Sequence, residues 1–308
     1  MKAIRIALAL TVVLSFLALT NGCGSAQDPW EGKGGSPRIV TSFAPLYCFA
    51  RNVAGDKAGI VCICQGSKGP HGYRETHEDL LTMRRADLLI ANGMGLDDGF
   101  MEKLKRSGTA TLRYLKVAET IDKSLIIGGG HPDPHLWLGV KQAKAMVSKI
   151  RDVLKESGVG DPSVNYDANA TAYLKKLDKL KDYKKKELAA IKSPIVTFHE
   201  SLNYFADSFG LKIAGSIRVT PESEIGGPRI RELIALCLKE KVEIIAVEPQ
   251  YKKAEAENLK KQLVSRGLKN VKLVRVDPLE ACEVKDLNAD WYIRKMQENI
   301  DNLVGSQK

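Results

Sequence analysis

Short β-rich runs alternate with helical patterns along most of the chain, and this alternation limits the possible folds more than any other feature. In the first half, strand-like runs such as RIVTSFAPLY (38–47), AGIVCICQG (58–66) and DLLIANG (87–93) are separated by helical segments. After residue 193 a second series contains PIVTFHE, LKIAGSI, EIIAVEPQ and VKLVRVDP, again with helices between them. Such alternation predicts mostly parallel sheets flanked by helices. The predicted fold class is therefore α/β, with two lobes of similar size.

A charged segment between the two series carries a single apolar stripe. Asp161 suits a helix cap, and Pro162 suits the first helical position. We predict one continuous connecting helix over 161–192, about 30 residues or roughly 45 Å long, between an N-terminal lobe (38–160) and a C-terminal lobe (193–308). The apolar positions step by four and three, as on one face of a helix: Tyr166, Ala170, Tyr173, Leu177 and Leu180.

The N-terminus has the composition of a secretory signal. A basic start precedes an apolar run from Ile6 to about Leu19, too short for a comfortable membrane span, and small residues and Cys23 follow. LTNGC resembles a bacterial lipobox, in which the cysteine receives diacylglycerol; ordinary cleavage after Ala26 is the alternative. We predict a signal peptide over 1–23 with Cys23 as the lipidation site.

The segment after the signal is rich in Gly, Ser and Pro, which predicts a flexible tether over 24–37, with order beginning near Arg38. The mature protein is therefore expected to be exported, either periplasmic or anchored to the membrane through lipid.

Composition and charge argue against a nucleic-acid partner. Hydrophobic residues make up 44% and charged residues 27%, as in globular proteins, and the formal net charge is +10. The basic side chains are spread along helices among acidic ones, without the basic and aromatic motif of a nucleic-acid module. We expect a monomer with a solvated basic surface.

The cysteines do not form a thiolate zinc motif, because no C-x-x-C pair is present. We predict buried free thiols for Cys48, Cys62 and Cys64. Export permits disulfides, and we predict one between Cys237, on a helix of the second lobe, and Cys282, after its last strand.

Four scattered groups follow predicted strands. His71 and His135 lie in loops of the first lobe, His199 ends PIVTF, and Asp277 ends VKLVRV. Taken singly, a histidine at a strand end is usually structural, and an aspartate before Pro278 is usually a turn or cap residue. Ligands of parallel sheets bind at the carboxyl ends of the strands, so two facing lobes would bring these groups into one crevice. Three imidazoles and one carboxylate suit zinc.

Several ordered motifs resemble a known family. GPHGYRETHEDL, DPHLWLG, VTFHESLNYFADSFGLKI, VEIIAVEPQY and RVDPL are similar to motifs of the zinc/manganese-binding solute-binding proteins, often lipoproteins, of bacterial metal ABC transporters. The likeness covers about residues 38 to 300. It implies two α/β lobes joined by a long backbone helix, with metal in the cleft bound by His71, His135, His199 and Asp277.

Two departures from the family pattern concern the remaining histidines. His77 stands where the family usually has proline, and the long His- and acid-rich loop of many zinc members is absent. We predict that His77 is a surface residue at a helix start and that His131 is a solvent-exposed loop residue.

The predicted function is capture of a divalent metal and its delivery to a membrane permease, without catalysis. A set of three imidazoles and one carboxylate favours Zn²⁺ over Mn²⁺, which prefers more oxygen ligands. Affinity should fall on acidification, because imidazole binds metal when neutral. The alternatives are a secreted mononuclear zinc hydrolase, with Glu200 as the base, and a metal-binding adhesin on the same fold.

Two similarities to other motifs are set aside. LLIANGMGLDDG places glycines after a strand, as dinucleotide sites do, but Asp97 and Asp98 would repel a pyrophosphate. HESLN lacks the second histidine of the zinc-protease motif H-E-x-x-H, because Asn203 occupies that position.

Overall fold

The computed structural model describes residues 28–33, 35–67, 69–128, 131–223 and 226–307. The predicted signal peptide, Cys23 and residues 24–27 of the predicted tether lie outside the described residues. Within the described ranges, no helix combines the length and apolar character needed to cross a membrane.

The first sheet has four parallel strands in the order β2-β1-β3-β4. One of its two central strands is the fully buried apolar run LLIA, as expected of a parallel sheet covered on both faces. The strands are β1 (Gly35–Thr41), β2 (Ala58–Cys62), β3 (Leu88–Ala91) and β4 (Arg113–Lys116). The helices of this lobe are α1 (Ala44–Ala54), α2 (His77–Met83), α3 (Asp98–Ser107) and α4 (Val140–Glu156).

The second sheet repeats the same topology, with parallel strands in the order β6-β5-β7-β8. Two α/β lobes with parallel sheets flanked by helices therefore confirm the predicted fold class. The strands are β5 (Ile195–Thr197), β6 (Ile213–Ser216), β7 (Ile244–Val247) and β8 (Lys272–Arg275). Between and after them lie the helices α7 (Asn203–Phe209), α8 (Gly227–Glu240), α9 (Ala254–Ser265) and α10 (Trp291–Gly305).

The connecting segment is shorter and more broken than predicted. Helix α5 (Tyr166–Asp182) has 17 residues, about 25 Å, and begins after Asn165, whose side chain accepts a hydrogen bond from the amide of Ala168. The helix stops where Lys184 adopts a left-handed conformation with φ 47°, and the short helix α6 (Lys185–Ala189) follows. The prediction of one continuous helix over 161–192 is therefore wrong, although the apolar stripe on α5 is buried as predicted.

The C-terminal helix joins the connecting helix to the first lobe. Phe49 of α1 packs edge-on against Tyr292 of α10, with ring centroids 4.9 Å apart, and lies 6.1 Å from the ring of Tyr173 on α5. All three rings belong to one hydrophobic core that also includes Ile244 and Val274 of the second sheet. One hydrophobic core therefore extends across both lobes.

Order begins before Arg38, so the predicted tether is too long at its C-terminal end. Trp30 is 4% exposed, packs in the main core, and donates a hydrogen bond from Nε1 to the carbonyl of Thr82. Asp28 forms an ion pair with Arg85.

The predicted disulfide between Cys237 and Cys282 is absent from the structure, where both residues are buried free thiols. Cys237 lies in a separate, smaller hydrophobic cluster of the second lobe, whereas Cys282 lies in the main hydrophobic core. The cysteines at positions 48, 62 and 64 are buried and free as predicted.

Candidate metal centre

Three imidazoles and one carboxylate converge in the cleft between the two sheets. His71 lies in the loop after β2, and His135 precedes a short 3-10 turn (Leu136–Leu138) in the segment after β4. His199 follows β5, and Glu280 lies in the loop after β8. One ligand atom from each of these four residues lies within 4.8 Å of the others. Each lobe thus supplies two groups from beyond the carboxyl ends of its strands.

Five of the six separations among these atoms are short and nearly equal. Nε2 of His135 lies 3.3 Å from Nε2 of both His71 and His199. Oε1 of Glu280 lies 3.4 Å from Nε2 of His71, 3.4 Å from that of His135 and 3.2 Å from that of His199. Four ligands each about 2.0–2.1 Å from a central zinc ion stand about 3.3–3.4 Å apart. Five edges of the tetrahedron therefore match tetrahedral zinc coordination to within about 0.1–0.2 Å.

Asp277, predicted from the sequence as the fourth ligand, is not part of this group; Glu280 takes that place. The Oδ1 atom of Asp277 accepts a hydrogen bond of 2.8 Å from the amide of Leu279, and its backbone is held by the side chain of Asn299. Asp277 therefore stabilises the turn that leads to Glu280. The sequence offered a signal for this, because an aspartate before a proline commonly forms a turn.

The loops that carry the site fit closely together. Leu279 is buried with φ 62°, a costly conformation for a branched residue, and this turn directs the following side chain, Glu280, into the cleft. A Cβ atom on Gly69 would lie 3.0 Å from Cβ of Glu280, so glycine lets the His71 loop approach. Trp137, two residues after His135, donates a 2.8 Å hydrogen bond from Nε1 to the carbonyl of Pro278.

Two further carboxylates orient the imidazoles from outside the tetrahedron. Asp133 Oδ1 lies 2.7 Å from Nδ1 of His135, and its other oxygen accepts a hydrogen bond from Asn203. Both oxygens of Glu248, which is 2% exposed, lie 2.8 and 2.9 Å from Nδ1 of His199. A carboxylate on Nδ1 holds its proton there and leaves Nε2 free to bind a metal.

The electrostatics of the site favour a positive charge among the four groups. Burial opposes protonation of His199, but Glu248 and Glu280 outweigh burial and raise its pKa to about 10. Burial alone would raise the pKa of Glu280, but the imidazoles of His135, His199 and His71 hold it well below its usual range. A buried carboxylate is stable in its charged form only beside a positively charged partner.

Neither oxygen of Glu280 receives a geometrically acceptable hydrogen bond from the described residues, although three imidazole nitrogens surround Oε1. A buried carboxylate without hydrogen bonds is costly. A cation bound between the four groups would satisfy it, so the donor set fits a divalent metal.

The remaining histidines lie outside the cluster. His77 is exposed at the first turn of α2, which Thr76 and Asp79 cap reciprocally, and His131 is exposed in its loop. Asn203 begins α7 rather than continuing a helix from His199, so the protease-like spacing has no helical geometry behind it.

We expect that removing either exposed imidazole will leave metal binding nearly intact. His77→Ala and His131→Ala should each keep the dissociation constant for zinc within about twofold of wild type, because four donors remain. Competition titration against a chelating dye measures this. A loss as large as that of His135→Ala in either variant would show that the site uses a different histidine.

Comparison with known proteins places the chain among metal-binding proteins. The family model for zinc-uptake complex component A, periplasmic, matches residues 39–306. The chain is 29% identical over 320 aligned positions to the zinc-binding lipoprotein AdcA of Streptococcus pneumoniae, covering 98% of this chain and 60% of that protein. It therefore spans less than two thirds of that relative's length. It is 25% identical to the manganese-binding lipoprotein MntA of Halalkalibacterium halodurans, covering 95% and 96% of the two chains.

A solved structure supports the likeness. The Zn(II)-bound ZnuA-like domain of Streptococcus pneumoniae AdcA superposes with a TM-score of 0.70 at 28% identity, covering 89% of this chain and 99% of that one.

Proposed function

Because the chain belongs to the family of periplasmic zinc-uptake complex component A proteins, we propose that it captures Zn²⁺ outside the inner membrane and delivers it to the permease of an ABC importer. The cargo is bound by His71, His135, His199 and Glu280. In this proposal the ion is carried and released rather than used for catalysis.

The observation that carries this proposal is the convergence of three imidazole nitrogens and one carboxylate oxygen, with five of their six separations at 3.2–3.4 Å and all four atoms within 4.8 Å of one another. Four close donors with three nitrogens suit zinc, whereas manganese is better served by more oxygen donors at longer distance. Relatives that bind either metal exist, so the preference for zinc rests on this chain's own donor set.

The arrangement of these four donors does not suit the catalytic zinc of a hydrolase. A catalytic zinc keeps an open position for water and needs a base beside it. Here the carboxylate of Glu280 completes a four-donor set. Glu200, the base that a hydrolase would need, instead forms an ion pair with Arg229 and a hydrogen bond with Ser216.

Metal analysis of protein purified without added metal tests the proposed cargo. We expect close to one zinc per chain and little manganese, because the four donors form one tetrahedral site. A His135→Ala and His199→Ala double variant, purified in parallel, serves as the control and should contain little zinc. Predominant manganese in the wild-type protein, or equal zinc in the control, would contradict the proposal.

We further propose that the protein is anchored through lipid on Cys23, the residue after the apolar run. Wild-type protein should fractionate with membranes, and Cys23→Ser should release it, because acylation of the cysteine supplies the anchor. Intact-mass measurement of the mature protein checks this directly. An unmodified N-terminus downstream of residue 23 would rule out the anchor.

A further inference from the structure

The four donor residues are unequally exposed to solvent. The side chain of His71 is 14% exposed and that of His135 is 4% exposed, whereas the side chains of His199 and Glu280 are fully buried. An ion that approaches from solvent therefore meets His71 first. The route into the site runs past the loop that carries this residue.

The two glycines that flank His71 in this loop, Gly69 and Gly72, face different carboxylates. On one side Gly69 lies directly against Glu280, because a Cβ atom built there would come within 3.3 Å of Oε2 of that carboxylate. On the other side Gly72 faces the opposite lobe, where Oε1 of Glu222 would lie 3.7 Å from a Cβ atom built on Gly72. Glu222 is exposed, and its carboxylate lies against Gly72, the residue that follows His71.

The backbone next to Glu222 is held by contacts within its own lobe. Ser223, the next residue, accepts hydrogen bonds of 3.2 Å from the amides of Val219 and Thr220 on its side-chain oxygen. Arg218 donates to the carbonyl of Ser223 and is paired with both carboxylate oxygens of Glu255. The turn that presents Glu222 is therefore tied to helix α9.

We propose that Glu222 is the entry ligand of the site, a carboxylate that binds the incoming divalent cation transiently before His71 and the buried donors take it up. This inference rests on the proposed function. A Glu222 oxygen replaces one water of the hydrated ion, and Nε2 of His71 replaces a second. The buried donors then replace the remaining waters and Glu222 releases the ion. An exposed carboxylate beside the His71 loop attracts a dication and raises its local concentration there.

Stopped-flow kinetics on the metal-free full chain tests this, with zinc chloride for association and a chelating dye for dissociation. A residue that binds the ion transiently on its way in and out accelerates association and dissociation equally. Glu222→Gln should therefore lower both rate constants about fivefold and leave their ratio within about twofold of wild type. Glu222→Asp keeps the carboxylate and should restore part of both rates. Glu257→Gln makes the same charge change at an exposed site on α9 and should behave as wild type.

Three results would overturn the inference. The first is unchanged rate constants in Glu222→Gln, and the second is a slowing no larger than that in Glu257→Gln. The third is slower association with unchanged dissociation, where the difference from wild type disappears in high salt. The last would show only long-range attraction. A wild-type chain that does not bind zinc would overturn the proposed function as well, whereas normal wild-type binding with unchanged Glu222→Gln rates overturns this inference alone.

Discussion

Replacing Glu280 by glutamine is expected to weaken zinc binding about a thousandfold, or roughly 4 kcal/mol in binding free energy. Glutamine has nearly the same shape, but its amide oxygen is neutral and a weaker donor for a dication. Glu280 is also the only carboxylate among the four donors that surround the proposed ion. Isothermal titration of metal-free protein, or dye competition for the wild type, measures the change.

Asp277→Asn is the matched control, because it makes the same chemical change three residues away. Asparagine still accepts the hydrogen bond that holds the Leu279 amide, so the turn and the zinc affinity should be kept, the latter to within about threefold. The opposite pattern, with Asp277→Asn as damaging as the loss of a ligand and Glu280→Gln harmless, would restore the sequence-based assignment and reject the geometric one.

The second large effect is expected at Glu248, which does not touch the ion. Both oxygens of its carboxylate lie within hydrogen-bond distance of Nδ1 of His199. Groups that hydrogen-bond a metal ligand in this way typically contribute about 10–100-fold to metal affinity. Glu248→Gln should therefore weaken zinc binding within this range. Glutamine cannot supply two acceptor oxygens to hold the ring and its proton.

Glu243→Gln makes the same charge change at an exposed residue just before β7, the strand that Glu248 follows, and serves as the control. Thermal unfolding of each metal-free variant separates lost affinity from lost structure. Wild-type affinity in a folded Glu248→Gln protein would show that the imidazole needs no partner to hold it.

The lobes and the convergence of three of the four proposed donors were predictable because they depend on local pattern. Alternating strands and helices specify parallel sheets, and the carboxyl ends of such sheets bring residues distant in sequence together. His71, His135 and His199 follow this rule. The fourth donor does not, because the chain turns sharply after β8. That turn makes Asp277 a cap and points Glu280 into the cleft, and it depends on a positive φ at Leu279 that no glycine in the sequence signals.

Two other features also escaped prediction for physical reasons. The connecting helix breaks at Lys184 without a glycine or proline, where Tyr183 and Lys184 instead contact Asp301 of α10. This is a tertiary contact that helical periodicity does not reveal. A disulfide between Cys237 and Cys282 was compatible with export. The two thiols instead lie in different hydrophobic clusters, and only tertiary packing decides which cluster each one joins.

The most direct test of the proposed centre is X-ray absorption of the wild-type chain loaded with one equivalent of zinc. The tetrahedron of three imidazoles and Glu280 predicts four nitrogen or oxygen neighbours at about 2.0–2.1 Å, with outer-shell scattering from three histidine rings. Five or six neighbours at longer distances, or scattering from fewer than three rings, would contradict it.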